Sequence, residues 1–278
     1  MAYWQDREAA TRAELTKRTT EQIEKQIGKY YERASRKVIR DFEDVYNRIL
    51  QASKDGIAPT PADLYKLDKY WTAQAQMRQE LERLGRREVV QLTKAFERSF
   101  FEVYHSIAIE GGRAYSTIDR QGALQLINSI WCADGKNWSD RIWSNTEELA
   151  ETLNNGLIHI VASGKNPNQL KHILQEQFDV SFRRADSLVR TELAHIQTQA
   201  AQQRYKDYGI EQVQVWADYD ERRCDVCGKL HEKKYFVNEQ MPIPAHPNCR
   251  CTLLPVVEEK TKIRVVDKNQ KQQQQLLL

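Results

Sequence analysis

Glycine and proline are scarce in this sequence, with 11 and 7 among 278 residues. An all-β protein with many tight turns needs more of both, so their scarcity favours long helices. Long apolar runs are also missing, and the longest, Leu157 to Ala162, is interrupted by His159. A helix that crosses a membrane needs roughly 18 or more consecutive apolar residues. The sequence therefore predicts a mainly helical protein that does not enter a membrane.

The charge is balanced, and no targeting segment is recognisable. Lys and Arg number 42 against 39 Asp and Glu, so the formal net charge is +3. This total argues neither for nor against nucleic acid as a partner, and any such case rests on local clusters. The first residues, Met1 to Glu8, are charged and lack the apolar core of a signal peptide. We expect the protein to act where it is made, or to be carried elsewhere by assembly.

Two long amphipathic patterns fill the first part of the chain. Apolar residues recur at steps of three and four over 23–49 and again over 64–107, which is the period of a helix face. Between them, Thr60 is a good N-cap and Pro61 suits the first helical position. These patterns predict a long helical hairpin or stalk over residues 1–112.

A second domain is expected over 113–257. Its first part, 117–208, predicts shorter helices, one ending near Phe178 and the next beginning at Ser181. The expected fold class is therefore mainly α. It has a long helical N-terminal region, a helical middle and a small C-terminal α+β module of the zinc-knuckle type.

The composition and the spacing of apolar residues change in the C-terminal module, residues 211–256. Residues 211–216 alternate between polar and apolar and predict a strand, with Val213 and Val215 on one face. The remainder holds four of the five cysteines and little periodicity. The segment 258–278 is charged and then rich in glutamine, so it is predicted to be a disordered tail.

The four cysteines fall in two short motifs. The first is Cys224-Asp-Val-Cys227, and the second is His246-Pro-Asn-Cys249-Arg-Cys251. A C-x-x-C pair places two thiolates about one tetrahedral edge apart, and the second motif can complete a zinc ligand shell. We expect Cys224 and Cys227 to bind a structural zinc ion together with two or three of His246, Cys249 and Cys251.

Other interpretations of this cluster remain open at the sequence level. His231 is a sixth candidate ligand, and the cysteines could instead form an oxidised pair or be buried thiols without metal. Zinc is favoured because the module has few apolar residues, and a bound zinc contributes on the order of 10 kcal/mol to a small fold. A structural ion is favoured over a catalytic one, because a full thiolate shell leaves no position for water.

A nuclease is the alternative functional interpretation of the same module. His231, Asn238 and His246 follow the order of a His-Asn-His endonuclease. A motif match of this kind is weak by itself, and His246 already lies within the predicted ligand set.

A basic stripe is predicted on the first long helix. Lys29, Arg33, Arg36, Lys37 and Arg40 are spaced so that most of them share one helix face. The stripe suits contact with nucleic-acid phosphates or with an acidic partner. The alternative is a solvated face stabilised by ion pairs at i,i+4 spacing.

No catalytic arrangement is found in the sequence. Arg190 and Glu192 resemble an arginine–glutamate pattern of ADP-ribosyl transfer, but the accompanying Ser-x-Ser strand is missing. A Gly-rich phosphate loop, a Ser-His-Asp order and an H-E-x-x-H motif are also missing. The sequence therefore predicts a protein that is not an enzyme, and Arg190 and Glu192 are expected to form ion pairs with neighbouring elements.

Several motifs together resemble the phage minor head proteins of the Mu F / SPP1 head-morphogenesis family, with the best agreement over 117–256. They are Trp131-Cys-Ala-Asp-Gly-Lys-Asn-Trp-Ser-Asp-Arg-Ile-Trp143, Arg190-Thr191-Glu192, Cys224-Asp-Val-Cys227 and His246-Pro-Asn-Cys249-Arg-Cys251. The last two motifs are the most specific part of the resemblance.

The resemblance implies a minor capsid protein of the virion, made in the bacterial cytoplasm and placed inside the procapsid. The implied partner is the portal protein, with scaffold, major capsid protein and double-stranded DNA as further possible partners. The implied role is in head assembly, DNA packaging or DNA delivery. Arg222 and Arg223 beside the first cysteine motif are candidate contacts. Some members of the family fuse this domain to a toxin or enzyme, and the short segment after Glu258 leads us to expect no such activity here.

Overall fold

The fold is mainly helical, as predicted. The computed structural model describes residues 2–52, 60–109, 114, 116–163, 167–217, 223–257 and 263–265. Within these residues the helices are α1 (Ala2–Ala52), α2 (Pro61–Tyr65), α3 (Asp68–Ser106), α4 (Arg120–Ile127), α5 (Trp138–Ser163), α6 (Pro167–Asp207) and α7 (Asp225–Leu230). The strands are β1 (Ile107–Ile109), β2 (Gln212–Trp216), β3 (Lys234–Phe236), β4 (Thr252–Pro255) and β5 (Ile263–Val265).

None of the helices in the described part of the chain is both long and apolar enough to cross a membrane.

The start of α2 follows the sequence rules for a helix N-terminus. Thr60 is the N-cap, its side chain accepts from the Asp63 N–H, and Asp63 accepts from the Thr60 N–H in return. Pro61 occupies the first turn, where its missing N–H costs nothing. This reciprocal capping box confirms the helix start predicted at Thr60. The helix that starts here ends at Tyr65, however, and the long helix of the second apolar pattern begins only at Asp68.

Helix α6 corrects one prediction. The sequence suggested a break between Phe178 and Ser181, but α6 is continuous from Pro167 to Asp207. No proline or glycine interrupts it after the first position, and the Ser181 hydroxyl lies 3.3 Å from the Tyr31 hydroxyl rather than capping a helix. The helix ends where predicted, because Gly209 takes the left-handed conformation with φ 73°.

The contacts group the chain into two units, each of which is discontinuous in the sequence. One unit, here called the sheet unit, comprises 1–22, 92–131 and 187–278. The other, here called the helical unit, comprises 23–91 and 132–186. The domain boundaries predicted at residues 112 and 257 stay a prediction.

In the helical unit, α1 and α3 pack antiparallel. Lys37 contacts Glu80 at 3.4 Å, and Asp44 contacts Lys69 at 3.2 Å, so one residue number rises as the other falls. Within this unit the two helix segments are therefore antiparallel, while the predicted hairpin or stalk over residues 1–112 stays a prediction. A close approach occurs at Gly85, where an added Cβ would lie 2.8 Å from the Trp143 ring.

The sheet unit contains both sheets. Strands β3, β2 and β4 form an antiparallel sheet with β2 in the centre, and β1 pairs antiparallel with β5. Strand β2 is the strand predicted over 211–216, and its Val213 and Val215 are buried. Strand β5 falls within the segment predicted to be a disordered tail; most of that segment lies outside the described residues.

The C-terminal half of α6 supports the cysteine-containing module. The Gln202 side chain donates to the carbonyls of Val237 and Glu239, at 2.7 and 2.8 Å. The Tyr205 hydroxyl lies 3.2 Å from the Leu253 carbonyl, next to the start of β4. These polar contacts hold the loops and the edge strand of the module against one helix, and so fix where the cysteines lie.

Candidate metal centre

Cys224 and Cys227 are positioned by the short helix α7. Cys224 is the N-cap of α7, and its sulfur accepts the backbone N–H of Cys227 at 3.4 Å. Because α7 starts here, both sulfurs lie at its first turn. A thiolate that accepts backbone N–H groups at a helix N-terminus is stabilised by them and by the helix dipole.

The second motif forms a tight turn that leads into β4. The Cys249 N–H donates to the His246 carbonyl at 3.2 Å, and Asn248 adopts a left-handed conformation with φ 60°. Asparagine tolerates this conformation better than most residues. Cys251 directly precedes β4, whose Thr252 is paired with Trp216 of β2, so the sheet register fixes its place.

The donor atoms fall into two groups of three among the described residues. Cys224, Cys227 and His246 form one group, and Cys227, Cys249 and Cys251 form the other. Within each group all donor atoms lie within 4.8 Å of one another, and Cys227 belongs to both. The cluster could therefore hold a metal ion, and all five predicted ligands take part in it.

The distance between two of the sulfurs fits a tetrahedral ion. With zinc–sulfur bonds of about 2.3 Å, two thiolate ligands lie about 3.8 Å apart. The Cys227 and Cys249 sulfurs are 3.8 Å apart. The His246 Nε2 lies 3.3 Å from the Cys224 sulfur and 3.1 Å from the Cys227 sulfur. Five donors are available for four positions, so the choice of four left open by the sequence stays open.

The His246 ring is oriented for binding through Nε2. Its Nδ1 lies 2.8 Å from the Pro247 carbonyl oxygen, so Nδ1 carries the proton and donates it to that carbonyl. The Nε2 lone pair then faces the sulfurs. A second hydrogen bond of this kind is how proteins usually fix the tautomer of a metal-binding histidine.

The proton affinities of the thiols are unequal. The hydrogen bond between the Cys249 and Cys251 side chains, which are both free thiols, lowers the pKa of Cys249 to about 5 and raises the pKa of Cys251. Burial raises the pKa of Cys227 to about 12, whereas the backbone N–H of Cys227 lowers the pKa of Cys224. A cation at the centre would displace the remaining thiol protons, because metals bind thiolates.

A polar cleft lies beside the cysteines. The residues that line it are Ala217, Arg223, Cys227, His246, Asn248, Arg250 and Cys251. The Arg223 guanidinium donates to the Gly228 carbonyl of α7 at 3.2 Å. Arg223 thus lies at the centre, as its sequence position suggested, while Arg222 is outside the described residues.

His231 contacts the protein backbone and an aromatic ring. Its Nδ1 accepts the backbone N–H of Ala217 at 3.2 Å, and its ring packs against Trp216 with centroids 4.6 Å apart. His231 is in neither group of candidate ligands among the described residues. His246, the last residue of the proposed nuclease order, is directed at the sulfurs instead.

The basic stripe of α1 is a largely exposed surface of the helical unit. Lys29, Arg33, Arg36 and Arg40 are exposed, whereas Lys37 is half-buried against Glu80. Arg36 pairs with Glu32 one turn earlier at 3.4 Å, with both side chains about two-thirds exposed. Contact with a partner and simple solvation are both compatible with this exposure.

The surroundings of the Arg190-Thr191-Glu192 segment were not anticipated. Glu192 is buried and accepts a hydrogen bond from the Trp131 indole at 2.9 Å. The Trp131 ring stacks on His195 with centroids 4.4 Å apart, and burial lowers the pKa of His195 to about 4. The ring of His195 is therefore neutral near pH 7, and Glu192 has the Trp131 indole as a partner. The ion pairs predicted for Arg190 and Glu192 stay a prediction.

The contact between Asn248 and Thr191 was not predicted from the sequence. The Asn248 N–H donates to the Thr191 hydroxyl at 3.0 Å, and its side-chain amide donates to the Ser187 hydroxyl at 3.2 Å. The asparagine between His246 and Cys249 is a recognisable turn signal. Its partners lie 57 and 61 residues earlier in the sequence, and no local pattern identifies them.

Comparison with known proteins supports the resemblance. Residues 151–254 match the family described as phage Mu protein F like protein. The matched segment begins in α5, includes α6 and ends in β4, so it contains the whole cysteine–histidine cluster. The match confirms the predicted resemblance and supports a phage head-morphogenesis protein with a minor capsid role.

One relative corrects the expectation about enzymatic activity. Over 185 residues the chain is 25% identical to the NAD(+)–arginine ADP-ribosyltransferase EFV of Enterococcus faecalis. The alignment covers 59% of this chain, and the chain spans 38% of the relative's length. The prediction that the protein is not an enzyme is contradicted by this match and is withdrawn. The named activity is that of the relative.

No solved structure matches the chain.

Proposed function

We propose that the protein is a minor capsid protein that binds the portal inside the phage procapsid and aids head assembly, DNA packaging or DNA delivery. The observation that carries the proposal is the phage Mu F-like match over 151–254. The long helices and the compact cysteine module are consistent with a protein that works by docking to other head components. In the assembled phage it would be located in the virion.

We further propose that the cysteine–histidine cluster holds one structural zinc ion. Its ligands would be four of the set Cys224, Cys227, His246, Cys249 and Cys251. The fit of the sulfur–sulfur distance to a tetrahedral edge and the orientation of His246 support this assignment. When bound, zinc would supply cross-links between α7 and the turn before β4.

The portal contact is proposed to lie on the cysteine module. Two large apolar side chains are exposed there, Val226 at 52% and Phe236 at 57%. Arg223 lies beside the cluster, and Arg222 precedes it in the sequence. Exposed apolar side chains and arginine are both common in protein–protein contacts. The basic stripe of α1 is a second candidate contact, for acidic head proteins or for double-stranded DNA.

The test is co-expression with the portal protein of the same genome, followed by size-exclusion chromatography. We expect the wild-type chain to elute with the portal ring, and the double variant Val226→Ser plus Phe236→Ser to elute mostly separately. Because both side chains are exposed, these changes should leave folding intact.

A matched control and a competing variant complete this test. Val90→Ser alters a valine that is 55% exposed in the helical unit, and it should still elute with the portal. Arg33→Ala plus Arg36→Ala examines the basic stripe. Loss of co-elution only in this arginine variant would move the contact to α1, and separation of the wild-type chain would refute portal binding.

A further inference from the structure

The turn that carries His246 and Cys249 is attached to helix α6 through Asn248. The Asn248 N–H donates to the Thr191 hydroxyl at 3.0 Å, and the Asn248 side chain donates to the Ser187 hydroxyl at 3.2 Å. Ser187 and Thr191 are four residues apart and therefore lie on one face of α6, one turn apart. Asn248 thus spans one helical turn with two hydrogen bonds.

The Thr191 hydroxyl makes two hydrogen bonds in this arrangement, one as donor and one as acceptor. It donates its proton to the Ser187 carbonyl at 2.7 Å, so its oxygen lone pairs are free to accept the Asn248 N–H. Its orientation is set by the helix itself and not by the turn. The hydroxyl is therefore a preorganised acceptor that holds the backbone between two candidate ligands.

The same stretch of α6 also holds Trp131. Glu192 accepts from the Trp131 indole, and His195 stacks on the Trp131 ring. The segment 187–195 therefore binds the turn that carries His246 and Cys249 through Ser187 and Thr191. The same segment binds Trp131 through Glu192 and His195.

We infer that the hydrogen bonds of Asn248 to Thr191 and Ser187 form a clasp that positions His246 and Cys249 for zinc and couples zinc binding to residues 187–195 of α6. Thr191 is a positioning residue in this inference, because it acts through the turn and does not contact the metal. The inference rests on the proposed zinc centre. It assigns a role to the Arg190-Thr191-Glu192 segment that is independent of catalysis.

The experiment uses the full chain loaded with zinc and measures zinc transfer to a chromophoric chelator. Thr191→Val removes the hydroxyl at nearly constant shape and should raise the transfer rate about tenfold, at the low end of the effect of losing an outer-shell partner. Thr191→Ser retains the hydroxyl and should transfer zinc at close to the wild-type rate. Rescue by serine separates the hydrogen bond from side-chain packing.

A matched control is available in the helical unit. The Thr152 hydroxyl also donates to the carbonyl four residues earlier, at 3.0 Å. Thr152→Val should therefore leave zinc transfer unchanged. Amide hydrogen exchange is the second measurement: zinc should slow exchange over 187–195 in the wild-type chain, and this slowing should be lost in Thr191→Val.

The outcomes distinguish the clasp from the metal centre. A wild-type chain that holds no zinc overturns both. Wild-type zinc content with an unchanged transfer rate in Thr191→Val overturns the clasp alone. An effect of equal size in Thr191→Ser and Thr191→Val would also overturn it, because the hydroxyl would then have no role.

Discussion

Glu88 is a carboxyl group buried where four helices meet in the helical unit. Its side chain faces the hydroxyl of Tyr31, to which the Asn145 amide donates at 3.0 Å. Among the described residues neither carboxylate oxygen has a hydrogen bond of good geometry, and Glu88 is only 1% exposed. Burial raises the pKa of Glu88 to about 8, so the carboxyl is mostly protonated in the folded protein at pH 7.

This burial predicts a stability that falls with rising pH. In the unfolded chain the carboxyl has an ordinary pKa of about 4.3, so above that pH the folded state holds the extra proton. The Glu88 contribution is fully present below that value. It declines by about 1.4 kcal/mol per pH unit as the pH rises toward the folded pKa of Glu88, which is about 8.

Glu88→Gln removes this titration while keeping the shape of the side chain. Urea unfolding at pH 5, 6.5 and 8 should therefore show a smaller decline in the free energy of unfolding than in the wild-type chain. The control is Glu82→Gln, an exposed carboxylate on the same helix, which should change stability by less than about 0.5 kcal/mol. Parallel pH profiles for wild type and Glu88→Gln would contradict the assignment.

At the scale of elements, the first turns of α1 are bound to the edge strand β4. The Arg12 guanidinium donates to the Leu253 carbonyl at 2.8 Å and to the Tyr205 hydroxyl at 2.6 Å. It also pairs with Glu8 at 2.5 Å, and both charged side chains are almost fully buried. Because Leu253 lies two residues after Cys251, this network holds β4, the strand that follows the turn carrying His246 and Cys249.

Removing one member of a buried ion pair leaves the other charge without compensation. Arg12→Met should therefore lower the free energy of unfolding by about 3 kcal/mol, and Glu8→Leu plus Arg12→Met should recover most of that loss. Urea unfolding of the single and double variants measures both effects.

Arg36→Met is the matched control for this prediction. It removes the arginine of an exposed Glu32–Arg36 pair with the same i,i+4 spacing on the same helix, and should cost less than about 1 kcal/mol. If Arg12→Met were as mild as Arg36→Met, the network would contribute little to the attachment of α1.

At the scale of the whole molecule, the two units differ in what stabilises them. The helical unit is built from long helices with apolar faces. The sheet unit contains two small sheets and the cysteine module, in which a bound zinc ion would cross-link α7 to the turn before β4. Removal of zinc should therefore destabilise the cysteine module and its sheet more than the helical unit.

We expect about one zinc per chain in the purified protein, and a content near zero in Cys227→Ser, because Cys227 belongs to both ligand groups. Cys132→Ser is the control, since Cys132 is in neither group, and its zinc content should equal that of the wild type. A strong chelator should increase amide exchange in β2 and β4 while α5 stays protected. A folded wild-type chain without metal, or uniform exchange after chelation, would contradict this picture.

Local features of the fold could be predicted from the sequence. The period of the apolar residues identified α1 and α3, Thr60 and Pro61 marked the start of α2, and Gly209 marked the end of α6. These features depend on interactions between residues a few positions apart, which a sequence displays directly. The prediction of a break near Ser181 was wrong because a serine caps a helix only where a helix begins and backbone N–H groups lack partners. Here its hydroxyl has a partner in Tyr31 instead.

The sequence by itself determined which residue types form the candidate site, since the spacing of Cys224, Cys227, His246, Cys249 and Cys251 already pointed to a metal. Only the tertiary structure decided how these donors are held. The Asn248–Thr191 and Arg12–Leu253 bonds join residues 57 and 241 positions apart. The physical reason is that such bonds form only after the chain has folded back on itself, so their geometry depends on the packing of whole helices and not on local spacing.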